Sequence, residues 1–543
     1  MKNYLPITLV IFLFTACNSK KQVDLILKNA KIYTVDSSFT IAQAFAVTDG
    51  KIVEVGTTED ILAAYEAKEI IDAEGKAVFP GLIDAHAHFL RYGQGLQNAD
   101  LVGTRSWTEI LKKLKAFADD NKEGWIIGRG WDQNDWAVKE FPDKTELDKL
   151  FPTRPVILIR VDGHAAVVNQ VALDLAKITA GQKLVGGDIV VKDGKLTGIL
   201  VDNAVDLVNA IIPALTNKQN KEALLDAAKN CFAVGLTTVD DCGIDFTDVK
   251  MIDSLQKSGD LRMRLYVMLS DAKKNYDFLI KNGKIKTDFL NVRSFKVYGD
   301  GALGSRGACL LSPYHDAPKN SGFLLSDPNH FKEVAEVIAK NDFQMCTHAI
   351  GDSANRTILK IYADVLKGKN DKRWRIEHAQ VVHPDDFKLF GENSIVPSVQ
   401  PTHATSDMYW AGDRLGADRV KSAYAFQDLL KQNNWIPLGT DFPVEDINPF
   451  YTFYAAVARK DLKGFPDKGY QKENALTREQ ALRGMTIWAA KSNFEESEKG
   501  SIEKGKFADF IILDQDLMTA DELALPKTKV IKTFVGGVNV YKN

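Results

Sequence analysis

The sequence predicts an α/β fold whose centre is a (β/α)8 TIM barrel. Three observations support this prediction: apolar strand-like segments alternate with stretches of helical periodicity, polar side chains follow the strands, and β-rich segments occupy both chain ends. Eight strands that alternate with helices are typical of such a barrel, in which the carboxyl ends of the strands carry the functional groups. The predicted barrel strands are residues 79–88, 236–241, 264–269, 294–300, 344–348, 375–379, 396–400 and 436–441.

The first residues of the chain predict a targeting segment. Residues 5–14 form an apolar run, preceded by Lys2, that is too short to span a membrane as a helix. The small residues before Cys17 are similar to a bacterial lipoprotein signal over residues 1–17, in which Cys17 is lipidated and becomes the new N-terminus. We therefore expect a lipid at Cys17 to be the only membrane anchor, on the periplasmic or outer face of the cell envelope. The alternative is secretory cleavage near Cys17, which gives a soluble periplasmic or secreted protein.

Both chain ends predict short β-strands. Between residues 23 and 77 several strand-like runs follow one another, and Asp49-Gly50 is a typical hairpin turn. Residues 497–543 show a similar pattern, with Gly536-Gly537 at another turn. Because the termini of compact domains often lie close together, we predict one composite β-sandwich from residues 23–77 and 497–543, next to a barrel over residues 78–496.

The first predicted barrel strand ends in two histidines, His86 and His88. Alternate side chains of a strand share a face, so the two imidazoles point the same way. Two neutral imidazoles on one rigid edge are a natural pair of metal ligands. The alternative is a pair of surface histidines on a polar loop. The metal interpretation is strengthened because the chain has only nine histidines and several others also follow predicted strands.

A long segment, about residues 90–230, separates the first two predicted barrel strands. A structureless loop of this length is implausible in a compact domain, so we predict an inserted α+β subdomain over the mouth of the barrel. It contains strand-like residues 125–131 and 155–161 and a hairpin around Asp193-Gly194. Its tryptophans are candidates for a substrate pocket, although core packing is the favoured interpretation; they are Trp107, Trp125, Trp131 and Trp136.

Polar side chains follow five later predicted strands: Lys296, His348, His378, His403 and Asp441. On a barrel these strand ends converge on one mouth, where they would meet His86 and His88. A lysine that alternates with Phe295 and Val297 faces the barrel interior, where an unpaired ammonium is costly. Each group also has a structural alternative: a salt-bridged Lys296, packed histidines, and Asp441 as a helix cap. Strand alternation places Glu377 on the face opposite to His378, as a structural residue.

Composition excludes some classes of function. The chain of 543 residues has a formal net charge of -3 and no basic footprint, so we expect no nucleic-acid partner. No dense cluster of Arg or Lys near the strand ends demands a phosphorylated or strongly acidic substrate. The cysteines beyond Cys17 show no CxxC spacing and predict buried free thiols; they are Cys231, Cys242, Cys309 and Cys346.

In their order and placement these motifs resemble the amidohydrolase superfamily, and within it the amidohydrolase-3 type that includes N-substituted formamide deformylase-like enzymes. The resemblance covers nearly the whole chain after the predicted signal. It includes Arg160-Val-Asp-Gly-His164 in the inserted segment, the glycine-rich residues 299–306 and the closing residues 500–510. The family's split β-sandwich agrees with the β-rich chain ends.

The resemblance implies a pair of divalent metal ions, with zinc as the first expectation and iron or manganese as alternatives. By this resemblance His86 and His88 bind one metal, and His348 and His378 bind the second. Lys296, carboxylated by CO₂, bridges them, and Asp441 binds the first metal and handles the proton. Burial depresses the pKa of a lysine, and a neutral amine is what CO₂ requires.

The implied reaction is hydrolysis of a non-peptide C–N bond, of amide or formamide type, in a small molecule. The nucleophile is a metal-activated hydroxide, and Asp441 is the proton shuttle. His403, Arg306 and His164 are weaker candidates for substrate contacts, and packing is an equal alternative for His403. A homodimer is a further expectation.

Two other hypotheses stay open. The first is a mononuclear deaminase of a small cyclic compound, although the neighbours of His348 lack the Glu that such enzymes commonly carry there. The second is a catalytically inactive, lipid-tethered binding protein, although the expected ligand set is complete.

Overall fold

A computed structural model describes residues 20–543 of the chain. The predicted signal, residues 1–17 with the lipidation site Cys17, lies outside the described residues. Within the described part of the chain, no helix has the length and apolar character needed to cross a bilayer.

The N-terminal part contributes seven strands and one helix, which precede the barrel. They are β1 (Lys21–Lys28), β2 (Lys31–Tyr33), β3 (Ile41–Ala42), β4 (Ala44–Thr48), β5 (Lys51–Gly56), α1 (Thr58–Ala64), β6 (Tyr65–Asp72) and β7 (Ala77–Pro80). β4 and β5 pair antiparallel across the hairpin predicted at Asp49-Gly50. Both residues of this turn have positive φ, as a type I′ turn requires.

The barrel begins with β8 (Leu82–Ala87), and α2 (Phe89–Gly95) follows it. An inserted subdomain comes next, built from β9 (Ala99–Asp100), α3 (Trp107–Asp120), β10 (Ile126–Trp131), α4 (Thr145–Leu150), β11 (Val156–Arg160), β12 (Ala165–Val168), α5 (Gln170–Leu175), β13 (Gly187–Lys192), β14 (Lys195–Asp202) and α6 (Asn203–Asn209). Its six strands form one sheet in the order β13-β14-β12-β11-β10-β9. This sheet has its own apolar clusters on its faces.

The next helix, α7 (Asn217–Ala233), belongs to the barrel and not to the insertion. Its buried residues Leu224, Ala227 and Cys231 join the main hydrophobic core. It packs on α2, where a Cβ at Gly93 would lie only 2.0 Å from the carbonyl oxygen of Ala223. The inserted sheet and its helices therefore end at Asn209, earlier than the predicted boundary near residue 230.

The rest of the barrel alternates strands and helices. Its elements are β15 (Leu236–Ile244), α8 (Phe246–Lys257), β16 (Arg264–Ser270), α9 (Lys273–Asn282), β17 (Ile285–Lys286), β18 (Leu290–Tyr298), α10 (Pro328–Lys340), β19 (Gln344–Ala349), α11 (Asp352–Leu366), β20 (Arg375–His378), α12 (Phe387–Glu392), β21 (Val396–Ser398), α13 (Pro401–Asp407), α14 (Ala411–Arg419), α15 (Phe426–Asn433), α16 (Pro449–Ala458), α17 (Arg478–Gly484) and α18 (Ile487–Ser492). Short 3₁₀ turns lie at Gln133–Asp135, Pro384–Asp386, Val420–Ser422, Lys472–Asn474 and Glu522–Lys527.

Seven parallel strands form the barrel sheet, in the order β21-β20-β19-β18-β16-β15-β8, with β17 antiparallel to β18. This arrangement confirms the predicted TIM-barrel-like α/β fold. The eighth place, between β21 and β8, is taken by residues 436–441, which were predicted as the last strand. They bond to both neighbours: Gly439 N–H donates to the Val399 carbonyl at 3.0 Å, and Ala85 N–H donates to the Leu438 carbonyl at 3.2 Å.

Residues 436–441 do not form a continuous strand, contrary to the prediction. The amide of Leu438 turns out of the sheet and donates to the carbonyl of Gly484 at 3.0 Å. The ladder is thereby interrupted, although the segment still closes the barrel.

The C-terminal strands are β22 (Phe510–Leu513), β23 (Val530–Val535) and β24 (Val538–Lys542). They join strands of the N-terminal part in a six-stranded sheet, β24-β23-β22-β7-β2-β3, while β5-β4-β1-β6 form a separate sheet. One apolar cluster includes residues of both sheets, among them Leu27, Phe45, Val78, Phe510 and Phe534. Strands from the two chain ends therefore share one sheet and one core cluster.

A buried ion pair connects the barrel to the C-terminal segment. Arg264 of β16 donates to both carboxylate oxygens of Asp509, at 2.6 and 2.9 Å, and the two side chains are 1% and 4% exposed. The Gly536 amide also donates to Asp509 at 2.7 Å. Since a buried charge is costly without its partner, this pair ties the folding of the two parts together.

We predict that Asp509→Asn lowers the free energy of unfolding by about 3–5 kcal/mol, because it leaves the Arg264 guanidinium buried without a counter-charge. Denaturant unfolding followed by circular dichroism measures this change. The matched control is Asp24→Asn in the exposed Lys68–Asp24 pair, where solvent screening makes the expected effect small. Equal destabilisation by the two changes would contradict the role of the buried pair.

Candidate active site

The end of β8 presents two histidines to the barrel mouth, each fixed by one protein acceptor. His86 Nδ1 donates to Glu377 Oε2 at 2.5 Å, and His88 Nδ1 donates to the Cys242 carbonyl at 2.9 Å. The two Nε2 atoms therefore both face Asp441. The Nε2 of His86 lies 3.5 Å from Asp441 Oδ1, and the Nε2 of His88 lies 3.3 Å from the same oxygen. A hydrogen bond on the far ring nitrogen is the usual way in which a metal-binding histidine is oriented.

Both imidazoles are electrically suited to bind a cation. Burial lowers the pKa of His88 to about 4. Burial and the nearby Lys296 charge also lower the pKa of His86 below its ordinary value. Both rings are therefore neutral at pH 7, which is the state that binds a metal.

Asp441 is the last residue of the segment that closes the barrel, and its carboxylate lies close to both histidines. Its amide donates to the His86 carbonyl at 2.7 Å, and its Oδ2 is 3.3 Å from His403 Nε2. Burial alone would raise the pKa of Asp441, but the contacts with His403 and His88 hold it well below its ordinary value, so the carboxylate is ionised. Its backbone has φ +65°, a left-handed conformation that costs a non-glycine residue about 1–3 kcal/mol and is common at functional sites.

A second pair of histidines comes from β19 and β20. The ring centroids of His348 and His378 are 4.5 Å apart, and that of His378 is 4.9 Å from the ring of His86. Among residues 20–543, the buried Nδ1 of His378 has no hydrogen-bond partner. His348 Nε2 lies 3.4 Å from the Gly301 carbonyl and 3.5 Å from Asp300 Oδ1. The structure therefore brings His86, His88, His348, His378 and Asp441 to one mouth, as predicted from the sequence.

Lys296 is fully buried at the same mouth. Its Nζ lies 3.0 Å from His86 Nε2 and 5.1 Å from the centre of the Tyr298 ring. In the described part of the chain, no carboxylate lies within 4.0 Å of this nitrogen, so the alternative of a salt-bridged lysine is not supported. Asp300, the nearest acidic neighbour in sequence, instead accepts the amides of Ile350, Gly351 and Cys309 at 2.8–2.9 Å.

Glu377 differs from its prediction. Strand alternation placed it away from the site, but it lies inside the barrel and is completely buried. The backbone turns at the end of β20, where His378 has φ +72°, so consecutive side chains both reach the interior. Arg375 holds Glu377 through an Nε–Oε1 contact of 2.6 Å and also contacts Asp240 at 2.8 Å. Burial would raise the pKa of Glu377, but Arg375 and His86 lower it below its ordinary value, so Glu377 is an ionised support for His86.

The donor groups fit a divalent metal. Ligand atoms of His86, His88 and Asp441 lie within 4.8 Å of one another, and so do those of His378, His403 and Asp441. Neutral imidazoles and a carboxylate, which His86, His88 and Asp441 offer at pH 7, are ligands for zinc, iron and manganese. The buried and partnerless Nδ1 of His378 also fits a bound ion.

The grouping of donors differs from the prediction at two positions. His403, expected as a substrate contact at a strand end, lies in helix α13 and belongs to the second donor group. The Nδ1 atom of His403 is 3.0 Å from Glu445 Oε1. Burial lowers the pKa of His403, but the carboxylates of Asp441 and Glu445 raise it well above the ordinary value. His348, expected as a ligand, lies next to His378 but outside both groups.

A cavity of about 700 Å³ opens above these residues, a size that suits a small molecule. The barrel loops form one wall and the inserted subdomain forms the other, including His164, which was predicted as a substrate contact. His164 Nδ1 lies 2.6 Å from Asp202 Oδ1, and its ring centroid is 5.1 Å from that of His348.

The remaining predicted pocket residues lie elsewhere. Arg306 does not reach this cavity, and its guanidinium pairs with Asp316 at 2.9 Å. Trp107, Trp131 and Trp136 pack together in the core of the subdomain, as the favoured interpretation expected. The tryptophan that lines the cavity is Trp410, from the loop before α14.

Sequence reasoning missed several cavity residues. The cavity is also lined by Arg129, Asp162, Tyr298 and Glu445. None of these four residues was a candidate metal ligand at the end of a predicted barrel strand. Asp162 lies within the noted Arg160-Val-Asp-Gly-His164 motif, which was the one available signal.

A TIM-like barrel with histidines, a buried lysine and an aspartate at its mouth defines a metal-dependent hydrolase. Residues 69–541 match the model of the amidohydrolase family, so the chain belongs to this family. It is 35% identical to Protein LONG AFTER FAR-RED 3 of Arabidopsis thaliana, over 95% of this chain and 91% of that protein. It is 26% identical to N-substituted formamide deformylase of Arthrobacter pascens, over 96% of this chain and 98% of that protein.

A solved structure supports the same assignment. An uncharacterized metal-dependent hydrolase from Pyrococcus horikoshii superposes with a TM-score of 0.75 and 28% identity, over 92% of this chain and 99% of that one. The family and the donor groups together indicate a divalent metal.

We predict that Glu377→Gln weakens zinc binding by about 10- to 100-fold, because the neutral amide supports the His86 imidazole less strongly than the carboxylate does. Competition with a chromogenic chelator measures the affinity. The control is Glu392→Gln at the exposed end of α12, which should bind zinc as the wild type does. Unchanged affinity in Glu377→Gln would show that this contact does not support the metal.

Proposed function

We propose that the protein is a binuclear metal-dependent hydrolase that cleaves the C–N bond of small non-peptide amides, with N-substituted formamides as the first class to test. One observation carries this proposal: His86, His88 and Asp441 converge at the floor of the cavity, with the buried Lys296 Nζ 3.0 Å from His86 Nε2. The similarity to N-substituted formamide deformylase supports the choice of formamides.

His86, His88 and Asp441 would hold a divalent metal, which when bound would polarise a carbonyl group and lower the pKa of water toward 7. Asp441 accepts the proton of the attacking water, because its carboxylate is ionised and buried beside His86 and His88. It then donates this proton to the leaving nitrogen, which is a poor leaving group until it is protonated. His403, 3.3 Å from Asp441 and 3.0 Å from Glu445, is held protonated by these two carboxylates and orients the Asp441 carboxylate.

We further propose that Lys296 is carboxylated by CO₂ and holds two zinc ions. A carboxylated lysine is an anion with two oxygen donors, and an anion suits a nitrogen that is buried next to metal-binding histidines. The absence of a carboxylate within 4.0 Å of Nζ among the described residues supports this modification. The lipid anchor at Cys17, the envelope location and a homodimer stay predictions.

We predict that Asp441→Asn reduces kcat for formamide hydrolysis by at least about 10³-fold, since the amide cannot carry the proton. Its zinc content should stay close to that of the wild type, because the histidine ligands remain. Formate release and elemental analysis of the same sample measure both quantities. Full activity in Asp441→Asn would rule out its role as a shuttle.

We predict that the mature protein, purified with bicarbonate and without chelator, contains two zinc ions per chain and one added CO₂. Mass spectrometry under non-denaturing conditions measures both. Lys296→Ala should lose the added mass and at least one zinc ion, and a short carboxylic acid such as acetate should partly restore the metal content. One zinc ion with an unmodified lysine would favour a mononuclear hydrolase or deaminase.

A further inference from the structure

An arginine of the inserted subdomain faces the catalytic cavity without a counter-charge. Arg129 lies on β10 and lines the cavity together with His88 and Asp441. Its Nη2 donates to the Val161 carbonyl at 3.2 Å, which is the one hydrogen bond of its guanidinium among residues 20–543. Within the same range no carboxylate lies within 4.0 Å of it, and its buried Nε has no partner. Most of its donor capacity therefore remains free.

Two acidic groups of the same wall, Asp132 and Asp162, are already engaged. Arg160, on the neighbouring strand β11, is bound by the carboxylates of both Asp132 and Asp162 and also donates to Gln133 at 2.9 Å. Asp162 additionally accepts the amide of His164 at 3.0 Å. One arginine of this wall is thus doubly neutralised, whereas Arg129 keeps its full positive charge. Burial and the Arg91 charge lower the pKa of Arg129 to about 10, so it is still protonated at pH 7.

The backbone holds Arg129 rigidly. Its carbonyl accepts the amide of Leu101 at 2.8 Å, and β10 is paired with β9 on one side and β11 on the other. The guanidinium packs against Gly163, where a Cβ would lie 3.4 Å from Nη2 and 3.6 Å from Nη1. A planar fork that is fixed by a sheet and by a neighbouring backbone is preorganised to bind a planar anion.

We infer that Arg129 binds a carboxylate of the substrate, so that the enzyme acts on amides whose organic part carries a carboxylate group. This inference rests on the proposed function and specifies its substrate class. The guanidinium fork matches a carboxylate bidentately. A dianionic phosphate is disfavoured, because among the described residues Arg129 is the one unpaired cation that this wall presents to the cavity. The amide is held over His86, His88 and Asp441 while the carboxylate lies against the opposite wall.

Matched pairs of compounds test this inference. The panel contains the N-formyl and N-acetyl derivatives of glycine, leucine and phenylalanine, each as the free acid and as the carboxamide. The wild-type holoenzyme should show a kcat/KM at least tenfold higher for one or more acids than for the matching carboxamides. Arg129→Gln should remove this preference chiefly through KM, whereas Arg129→Lys, which keeps the charge without the fork, should keep part of it.

The control is Arg105→Gln, an exposed arginine of the same subdomain that does not line the cavity, and it should keep the wild-type preference. Zinc content and a cooperative thermal transition verify that each variant is folded. Where the wild type hydrolyses these compounds, the inference is overturned if no acid is preferred over its carboxamide, or if Arg129→Gln keeps the preference.

A binding experiment separates this inference from the proposed reaction. Zinc-loaded Asp441→Asn, in which turnover is blocked, is titrated calorimetrically with the same acids and carboxamides, with and without Arg129→Gln. The Kd of the acids should rise at least tenfold in the double variant, while that of the carboxamides changes less than twofold. Arg129-dependent binding without hydrolysis by the wild type would refute the proposed reaction alone, and hydrolysis without acid preference would refute the carboxylate site alone. The carboxylate site would also be refuted if the acids bound equally well to Asp441→Asn and to the double variant that adds Arg129→Gln.

Discussion

The backbone pairing between the first barrel strand and residues 436–441 is the constraint on which the site depends. Asp441 N–H donates to the His86 carbonyl at 2.7 Å, and His88 N–H donates to the Phe442 carbonyl at 2.9 Å. The side chain of Asp84 reinforces this contact, because it accepts both the amide and the hydroxyl of Thr440, at 3.0 and 2.6 Å across 356 positions of sequence. Closing the barrel and assembling the first donor group are therefore one structural event.

A second layer of charge lies directly under the histidines. Arg375 is completely buried and contacts both Asp240 and Glu377, and Glu377 in turn holds His86. Buried ion networks of this kind add little net stability, but the removal of one member leaves an uncompensated charge. Their value here is orientation: the network fixes which nitrogen of His86 carries the proton and where its lone pair points.

The sequence predicted best the site residues that lie at the ends of barrel strands and whose side chains follow the strand alternation. His86, His348 and His378 lie at the ends of predicted barrel strands, so their convergence on a barrel mouth could be predicted from their place in the fold. Glu377 could not, because the left-handed backbone at His378 breaks that alternation, and nothing in the residue type signals it. His403 was misplaced because Pro401 begins a helix there, directly after a strand of only three residues. Arg129 carries no motif, and its importance depends on the absence of a carboxylate close to it, which is a property of three-dimensional contacts.

The shared sheet of the two chain ends has a consequence for how this chain reaches its native state. Lys31 and Asp516, joined at 2.8 Å, are 485 positions apart, and β7 pairs directly with β22. Contacts between such distant residues have a large loop-closure cost and are slow to form. A chain still emerging from the ribosome lacks the strands that complete this sheet until synthesis is almost finished. The N-terminal strands therefore spend most of that time with an unpaired edge, a state in which chaperones or early pairing with other chains compete with folding.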